Sequence, residues 1–436
     1  MDTRTTWPAL LGPLTRGESL TADEAEWAMG EIMDGAATSA QIAGFAIAMR
    51  MKGVSVSEMT GLARAMLAHA TPIHVSGHVV DLVGTGGDGA QTVNVSTMGT
   101  IVAAAAGARM VKHGNRAASS ACGAADVLEA LGVVIDLPPA ASATLAAEVG
   151  IAFLFASFYH PSLRHAGPTR SELGVPTVFN SLGPVANPAR PSAMAVGVAD
   201  PRIGSVIAGV LAERGCSALV FRGTDGLDEL TTTGPSDVWV VHGGELASTT
   251  FDPSDLGLPR CSISDLRGGD AAFNASVVRS VLGGATGPVR DIVLLNAAAA
   301  LAAAAGVPGP EALVSALADG YSRAAEAVDS GVAASLLDRW IAASRRLAAE
   351  PRLPAHPGEL PAHPGDPNPG EPNPGEPNPA SPTRRAAPRV RQCGPWRLPS
   401  TLQAPRSTLQ APCKEPLSPF RRPCHPFRRS ESGQKP

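Results

Sequence analysis

The amino-acid sequence predicts an α/β fold, with a small N-terminal helical domain and a larger α/β domain built on a mostly parallel central sheet. Three observations predict it. Helix-capping signatures repeat near the start, short β-branched runs then alternate with Ala-rich segments of helical length, and glycine-rich or polar motifs follow directly after several of those runs. The expected boundaries are a helical domain over residues 1–72, an α/β domain over 73–350 and a tail over 351–436.

Three capping boxes predict the helical domain. In each, a hydroxyl caps the helix and an acid or amide three residues later reaches back to it. They are Thr21 with Glu24, Thr38 with Gln41, and Ser55 with Glu58. Gly35 and Gly53 predict the ends of the first two helices, and Thr71-Pro72 stops the third. The methionine-rich apolar stripe of this domain is interpreted as packing.

Seven short runs predict the strands of the α/β domain. They are residues 79–83, 109–112, 133–137, 151–156, 193–198, 218–221 and 238–241. Because helix-length segments separate most of them, the sheet is expected to be largely parallel. Ligands of such sheets bind beyond the carboxyl ends of the strands, so functional motifs are expected just after each run.

Composition separates the tail from the folded part. Residues 1–350 hold 22 Lys and Arg against 33 Asp and Glu, whereas residues 351–436 hold 13 against 6, together with 22 of the 40 prolines. The tail repeats Pro-Asn-Pro-Gly-Glu at 367–371 and 372–376 and is expected to be disordered. The alternative interpretation is a basic arm for an anionic partner or a proline-rich ligand. The acidic folded part argues against non-specific nucleic-acid binding.

Neither a membrane span nor a secretory signal is expected. The longest apolar run, residues 292–307, is interrupted by Asn296 and is short for a bilayer, and the N-terminus lacks the order of a signal peptide. The six cysteines form no Cys-x-x-Cys pair, so neither a disulfide framework nor a zinc site is indicated. A cytoplasmic location is therefore predicted.

The first functional motif is a glycine-rich loop, residues 84–89 (GTGGDG), directly after the run 79–83. Glycines let the backbone approach an anion closely, and the N–H groups of the helix that follows favour negative charge. We predict a phosphate site, with an ordinary glycine turn as the alternative. A dinucleotide site would need an acidic residue about 20 positions later, where this sequence has Lys112 to Arg116, and no P-loop motif occurs.

Two further motifs extend the predicted site. Lys112 is one of only two lysines in residues 1–350, beside 20 arginines, which favours a role for a compact point charge. The small-residue loop 117–124 that follows could surround phosphate oxygens. Asp228 and Glu229 follow the run 218–221. Alone they would be a solvated turn, but beside two phosphate-type loops they predict a Mg²⁺ site.

In this order and spacing, the motifs resemble those of the anthranilate phosphoribosyltransferase family, in the nucleoside-phosphorylase-like class of phosphoribosyltransferases. The residues that carry the resemblance are GTGGD at 84–88, NVST at 94–97, KHGNRAASS at 112–120, RSELG at 170–174 and DGLDEL at 225–230. The resemblance runs through roughly residues 8–347. It implies a small helical domain, a larger α/β domain, a hinge between them and a homodimer formed through the helical domains.

The resemblance also implies site residues. Contacts with 5-phosphoribosyl 1-pyrophosphate (PRPP) are expected at Gly84, Gly87, Asp88, Thr92, Asn94, Val95, Ser96, Thr97, Lys112, His113, Gly114, Asn115, Arg116, Ala117, Ala118, Ser119, Ser120 and Ala124. Magnesium, two ions per subunit, is expected at Ser96, Asp228 and Glu229, and anthranilate at Gly84, His113, Asn115 and Arg170. Lys112, Asn115 and Arg116 are expected to serve catalysis. Leu163 departs from some relatives, which carry Tyr or Met beside the substrate's entry path.

The implied function is Mg²⁺-dependent phosphoribosyl transfer from PRPP to anthranilate, in tryptophan biosynthesis. Departure of pyrophosphate from the ribose builds negative charge on the leaving group, which preorganised cations stabilise. The aromatic amine is neutral at pH 7, so no covalent protein nucleophile is required. Two alternatives remain: a pyrimidine nucleoside phosphorylase of the same fold class, and a catalytically silent paralogue that binds nucleic acid.

Overall fold

The computed structural model describes residues 5–117 and 121–350. The predicted contacts at Ala118, Ser119 and Ser120 lie outside the described residues. The predicted disordered tail over 351–436 lies outside them as well.

The N-terminal domain contains four helices, α1 (Trp7–Thr15), α2 (Ala22–Met33), α3 (Ser39–Lys52) and α4 (Val56–Ala68). All three predicted capping boxes, which begin α2, α3 and α4, are confirmed. Helix α1 has no capping box and was not predicted; it begins with a proline in its first turn instead. Its Trp7 ring packs edge-on against Phe45 of α3, with centroids 6.0 Å apart.

The α/β domain contains one seven-stranded sheet in the order β3-β2-β1-β4-β5-β6-β7. The strands are β1 (Val80–Gly84), β2 (Met110–Gly114), β3 (Ile151–Phe155), β4 (Ala193–Gly197), β5 (Ser217–Gly223), β6 (Ser236–His242) and β7 (Glu245–Phe251). Strands β1 to β5 are parallel, and β6 and β7 add an antiparallel edge. The mostly parallel sheet is confirmed. Its strand order reverses between β1 and β4, the place where such sheets bind ligands.

One predicted strand was wrong and one strand was missed. Residues 133–137 form no strand: Val133, Ile135 and Leu137 are buried, but the segment pairs with no strand in the described part of the chain. It lies against the last helix instead, where the Val134 N–H donates to Ser344 Oγ at 3.1 Å. Strand β7 was missed because its largely exposed, polar sequence lacks an apolar run.

Helices cover the sheet. They are α5 (Val95–Ala105), α6 (Ala124–Leu131), α7 (Pro139–Glu148), α8 (Ala156–Tyr159), α9 (Gly167–Leu173), α10 (Gly204–Glu213), α11 (Ala271–Leu282), α12 (Pro288–Ala305), α13 (Leu313–Asp329) and α14 (Val332–Ala349). Short 3₁₀ helices span Pro161–Ala166, Val178–Ser181, Gly183–Val185, Pro253–Leu256, Ile263–Leu266 and Pro310–Ala312. Among the described residues, only α12 is long and apolar enough for a membrane span, and most of it is buried within the fold.

Two hydrophobic cores lie on the two faces of the sheet. One joins strand residues such as Leu82 to α5, α12 and α14, and includes Trp340. The other joins Val196 of β4 and Ile207 of α10 to the helical domain through residues such as Phe45 and Met66. Because β1 contributes Leu82 to one core and Val83 to the other, burial on both faces fixes the strand that carries the glycine-rich loop.

Candidate active site

The three predicted motifs converge at the carboxyl edge of the sheet. The glycine-rich loop leaves β1 at Gly84, Lys112 lies in β2, and Asp228 and Glu229 follow β5. Strands β1 and β4 are neighbours in register, so Gly84 pairs with Gly197 at the end of β4. The motifs therefore meet at the switch point of the sheet, where ligand binding is expected.

The acidic loop lies directly on the paired glycines. The Gly86 N–H donates to Asp228 Oδ2 at 2.7 Å. A Cβ atom at Gly84 would lie 2.2 Å from the same oxygen, and one at Gly197 would lie 1.6 Å from the main-chain oxygen of Asp228. Position 197 therefore requires glycine, and a side chain at position 84 would displace the Asp228 carboxylate. Gly84 was predicted as a substrate contact, whereas Gly197 was not identified from the sequence.

Asp228 and Glu229 are both buried, each 8% exposed. Burial and the nearby Asp88 together raise the pKa of Asp228 to about 6, against the lowering effect of the Gly86 hydrogen bond. Burial and the charge of Asp228 raise the pKa of Glu229 well above its ordinary value, while Lys112 opposes the rise. A cation bound here would therefore relieve the repulsion between the Asp228 and Glu229 carboxylates.

The donor set fits a hard cation such as Mg²⁺. The described residues contain no group of three or more His, Cys, Asp or Glu side chains that could hold a metal ion. Two carboxylates and the Ser96 hydroxyl supply oxygen ligands only, and Mg²⁺ prefers one or two carboxylates with the remainder from substrate phosphate and water. Asp228, Glu229 and Ser96 are therefore the residues that would hold it.

Lys112 is buried beside the acidic pair. Its Nζ donates to Leu82 O at 2.6 Å and to Ser96 Oγ at 3.1 Å. Burial lowers its pKa, and the negative charges of Asp81, Glu229 and Asp228 oppose that shift. The lysine thus contacts Ser96, one of the predicted metal ligands, and its predicted role as a point charge stays a prediction.

His113 and Arg170, predicted to meet anthranilate, differ in their surroundings. The His113 ring is buried against His160, with centroids 5.2 Å apart, and its Nδ1 lies 3.2 Å from Gly183 O. Burial, with the His160 charge, lowers the pKa of His113 to about 3, so the ring is neutral. Arg170 makes no ion pair in the described part of the chain and lies over the Phe179 ring at 5.6 Å. Leu163 is half-buried in the helical-domain core.

Arg116 is paired with acids in this structure. It binds Asp126 through Nη1 at 3.0 Å and Glu129 through Nη2 at 3.0 Å. Asp126, which the sequence analysis did not identify, also accepts from the N–H groups of Ala117 and Gly123 at 3.0 and 2.9 Å. Asn115 is exposed and accepts from Ser157 Oγ at 3.2 Å. The loop after β2 is thus shaped by Asp126 at the start of α6, beside Ala124.

The remaining predicted contacts divide into accessible and buried groups. Asn94 precedes α5 and ties Cys122 O to Asn274 through hydrogen bonds of 3.0 and 2.9 Å. Val95 and Thr97 are each 1% exposed, main chain included, so the structure does not leave them open to a ligand. Thr92 forms an isolated β-bridge with Arg267. Gly87 and Asp88 lie in the glycine-rich loop, and Gly114 is the last residue of β2.

Comparisons with known proteins match both parts of the described chain. A family model described as the helical bundle domain of a glycosyl transferase family matches residues 8–70, and the model of the α/β domain of that family matches residues 76–334. The anthranilate phosphoribosyltransferase of Thermobifida fusca is 61% identical over 345 residues, covering 79% of this chain and 99% of that protein. The chain belongs to the anthranilate phosphoribosyltransferase family.

Other members of the family are similar to this chain over nearly their whole length. The anthranilate phosphoribosyltransferase of a Nocardioides species is 59% identical, over 78% of this chain and 99% of its own. A crystal structure of the Thermus thermophilus enzyme is 39% identical with a TM-score of 0.71, covering 77% of this chain and 99% of that one. The Saccharomyces cerevisiae enzyme in complex with PRPP and Mg is 26% identical with a TM-score of 0.68, over 78% and 98%. The chain is thus a glycosyltransferase, as predicted.

Asn296 holds the acidic loop of this anthranilate phosphoribosyltransferase family member in place. It is fully buried in α12, its Oδ1 accepts from the Leu230 N–H at 3.0 Å and its Nδ2 donates to Leu230 O at 2.9 Å. Leu230 directly follows Glu229. In the sequence, Asn296 stands out as a lone amide inside an apolar helix. Its partner Leu230 cannot be identified in this way, because it lies 66 residues away.

Asn187 links β1 and β2 beneath Lys112 and was also not identified from the sequence. Its Nδ2 donates to Asp81 Oδ2 at 2.8 Å and to Val111 O at 2.9 Å. Burial raises the pKa of Asp81 to about 6, while Lys112 and the Asn187 hydrogen bond lower it. The charge of Asp81 therefore acts on the buried lysine together with the charges of Asp228 and Glu229.

Proposed function

We propose that the chain transfers the phosphoribosyl group of PRPP to anthranilate, giving N-(5-phosphoribosyl)anthranilate and pyrophosphate, as a step of tryptophan biosynthesis. The observation that carries the proposal is the convergence of the glycine-rich loop, Lys112 and the buried Asp228–Glu229 pair at the sheet's switch point. The names of the relatives, and the yeast enzyme's complex with PRPP and Mg, support it.

On the leaving-group side, the bond from ribose C1 to pyrophosphate breaks and negative charge collects on the pyrophosphate. We propose that Lys112 and the N–H groups of the glycine-rich loop bind that charge, because preorganised donors need no reorganisation during the reaction. Bound Mg²⁺ adds positive charge there. Ser96, Asp228 and Glu229 would hold it, and two ions per subunit remain our proposal.

On the acceptor side, a bond forms between ribose C1 and the amine nitrogen of anthranilate, and the amine releases a proton. We propose that Arg170 pairs with the substrate carboxylate, because its guanidinium has no acidic partner in the described residues. His113, neutral and buried, would pack against the ring beside Gly84. Asn115 would orient the amine.

Arg116 remains a proposed pyrophosphate contact. Its guanidinium is bound to Glu129 and Asp126, and those hydrogen bonds raise its pKa. Pyrophosphate would bind its remaining N–H donors or replace these partners. The main-chain N–H of Ala117 is likewise engaged by Asp126.

We also propose a homodimer formed through the helical domains, in the cytoplasm. Helices α1 and α3 carry apolar side chains that their own core leaves accessible, including half-buried Leu11 and Ile47 and the 79% exposed Met51. Exposed apolar side chains that cluster on a surface are typical of protein–protein interfaces. Sedimentation equilibrium of wild type and Met51→Glu tests this, since a dimer built on that face should dissociate in the variant.

The decisive assay follows anthranilate fluorescence in the presence of PRPP, with and without Mg²⁺. Turnover that requires both PRPP and Mg²⁺ supports the proposal. Turnover of a pyrimidine nucleoside with inorganic phosphate, and none of anthranilate, would favour the phosphorylase alternative. A salt-dependent DNA mobility shift without either activity would favour the nucleic-acid-binding alternative.

A further inference from the structure

A cavity of about 580 Å³ lies at the amino edge of the sheet, opposite the candidate active site. Its walls are α4 of the helical domain, the segment that precedes β4, and the end of α10. Three arginines line it, Arg64, Arg190 and Arg214, with one carboxylate, Glu213. In an acidic folded part, a cavity with this excess of cations is a distinct electrostatic feature.

Two of these arginines make no ion pair within residues 5–117 and 121–350. Arg214 Nη1 donates to the Val185 carbonyl at 2.8 Å, and Arg190 has no acidic side chain within ion-pair distance. Arg64 forms two longer ion pairs, at 3.7 Å with Asp23 and 3.8 Å with Glu26. Glu213, the carboxylate in the lining, accepts from Thr60 Oγ1 at 2.7 Å. Arg190 and Arg214 are therefore the two cations of the cavity that an anion could pair with.

Like charges act on Arg214. Desolvation lowers its pKa, and the positive charges of Arg190 and Arg64 lower it further, against Cys216 and Glu213. Arg190 and Arg214 are both exposed, so a ligand in the cavity can reach them. A bound anion would offset the repulsion between these guanidinium groups.

We propose that this cavity binds a small organic anion, whose carboxylate or phosphate pairs with Arg190 and Arg214. Guanidinium groups bind both kinds of anion through two parallel hydrogen bonds. Leu67, Pro184 and Met194 supply an apolar wall for the body of the ligand. The site is separate from the one proposed for PRPP, so this proposal does not depend on the proposed activity.

The test is hydrogen exchange with mass spectrometry on the full chain, using benzoate and inorganic phosphate as probes against sodium chloride of equal ionic strength. We expect slower exchange in peptides covering residues 184–192 and 210–217. Benzyl alcohol, which has the ring without the charge, should give none. Protection by benzoate identifies a carboxylate ligand and protection by phosphate alone a phosphate ligand; either result supports the site.

Matched variants localise the effect. Arg190→Ala with Arg214→Ala should weaken binding by about tenfold or more. Arg202→Ala, which removes an exposed arginine already paired with Asp200 at 2.8 Å, should leave it unchanged. If the double variant is poorly folded by thermal unfolding, Arg214→Lys keeps the charge without the planar fork and should still weaken binding. Absence of protection with both probes, or equal protection in the double variant, would overturn the proposal.

Discussion

The main-chain N–H of Gly86 donates to Oδ2 of Asp228 at 2.7 Å, across 142 residues of sequence. This bond joins the loop after β1 to the acidic loop after β5. Gly84 and Gly197, paired in neighbouring strands, leave the space in which Asp228 lies. The phosphate-type loop and the proposed magnesium ligands therefore form one unit, and a change in either should affect both.

Gly84→Ala should disturb that unit. Its Cβ would lie 2.2 Å from Asp228 Oδ2, so the carboxylate has to move. We expect kcat/KM to fall by about 10²-fold, the size of effect that a 1 Å misplacement can produce, with a higher Mg²⁺ requirement. Gly30→Ala in α2 is the control, because nothing lies within 4 Å of its Cβ. An unchanged Mg²⁺ requirement in Gly84→Ala would contradict the coupling.

The acidic pair should make stability depend on pH and Mg²⁺. Asp228 has its pKa raised to about 6, so its contribution to stability is present at low pH and is lost as pH rises from about 4 to about 6. Glu229 shifts in the same direction. Near pH 7.5 we expect Mg²⁺ to raise the unfolding temperature by about 2–4 °C, and near pH 4.5 by much less.

Asp228→Asn with Glu229→Gln provides the comparison. Without Mg²⁺ near pH 7.5, the neutral variant should unfold at a higher temperature than wild type, because it buries no unpaired carboxylate. Its phosphoribosyl transfer should collapse. Differential scanning calorimetry and the fluorescence assay measure the two effects. Full transfer activity in the variant, or in wild type with excess chelator, would refute the assigned metal ligands.

Much of the fold could be predicted because its signals are local. Each capping box lies within four residues, and a parallel sheet brings the ends of its strands to one edge whatever their separation in the chain. Residues 133–137 were misassigned because alternating burial indicates an extended segment but does not show whether a neighbouring strand is available to pair with it.

Most supporting residues of the site could not be predicted, because their partners lie far away in sequence. Asn187, for example, binds Asp81 across 106 residues. Asp126 is the exception, since it accepts from the Gly123 N–H only three residues away, and this local cap was missed. Arg116 stands in a motif that predicts a phosphate contact, yet its guanidinium meets two acids of α6. The motif gives the residue's position in the loop, whereas tertiary packing decides where its side chain points.

Asn296→Leu should loosen the acidic loop. It leaves the buried N–H and C=O of Leu230 without partners, at a cost of about 1–3 kcal/mol each in the free energy of unfolding. We also expect the Mg²⁺ concentration for half-maximal rate to rise. Leu337→Ala in α14 is matched for stability loss, about 2–5 kcal/mol, and lies in a different part of the core. An equal Mg²⁺ shift in both variants would show a general loss of stability rather than positioning.

Arg170→Ala should separate the two substrates. A charge-assisted hydrogen bond to the anthranilate carboxylate contributes about 1.5–3 kcal/mol, so the KM for anthranilate should rise by about 10- to 100-fold while that for PRPP changes little. Initial rates with each substrate varied in turn measure both constants. Arg202→Ala, an exposed arginine paired with Asp200, should change neither. Equal loss for both substrates would remove Arg170 from the anthranilate site.

Truncation after Glu350 should leave activity and the unfolding temperature unchanged. The described core ends with α14, whose Trp340 is 1% exposed, and the family models end at residue 334. Truncation after Gly331 is the matched comparison: it also removes α14 with Leu336, Leu337 and Trp340, and loss of so much buried apolar surface should unfold the chain. If truncation after Glu350 by itself abolished activity or folding, residues 351–436 would be required for that activity or folding.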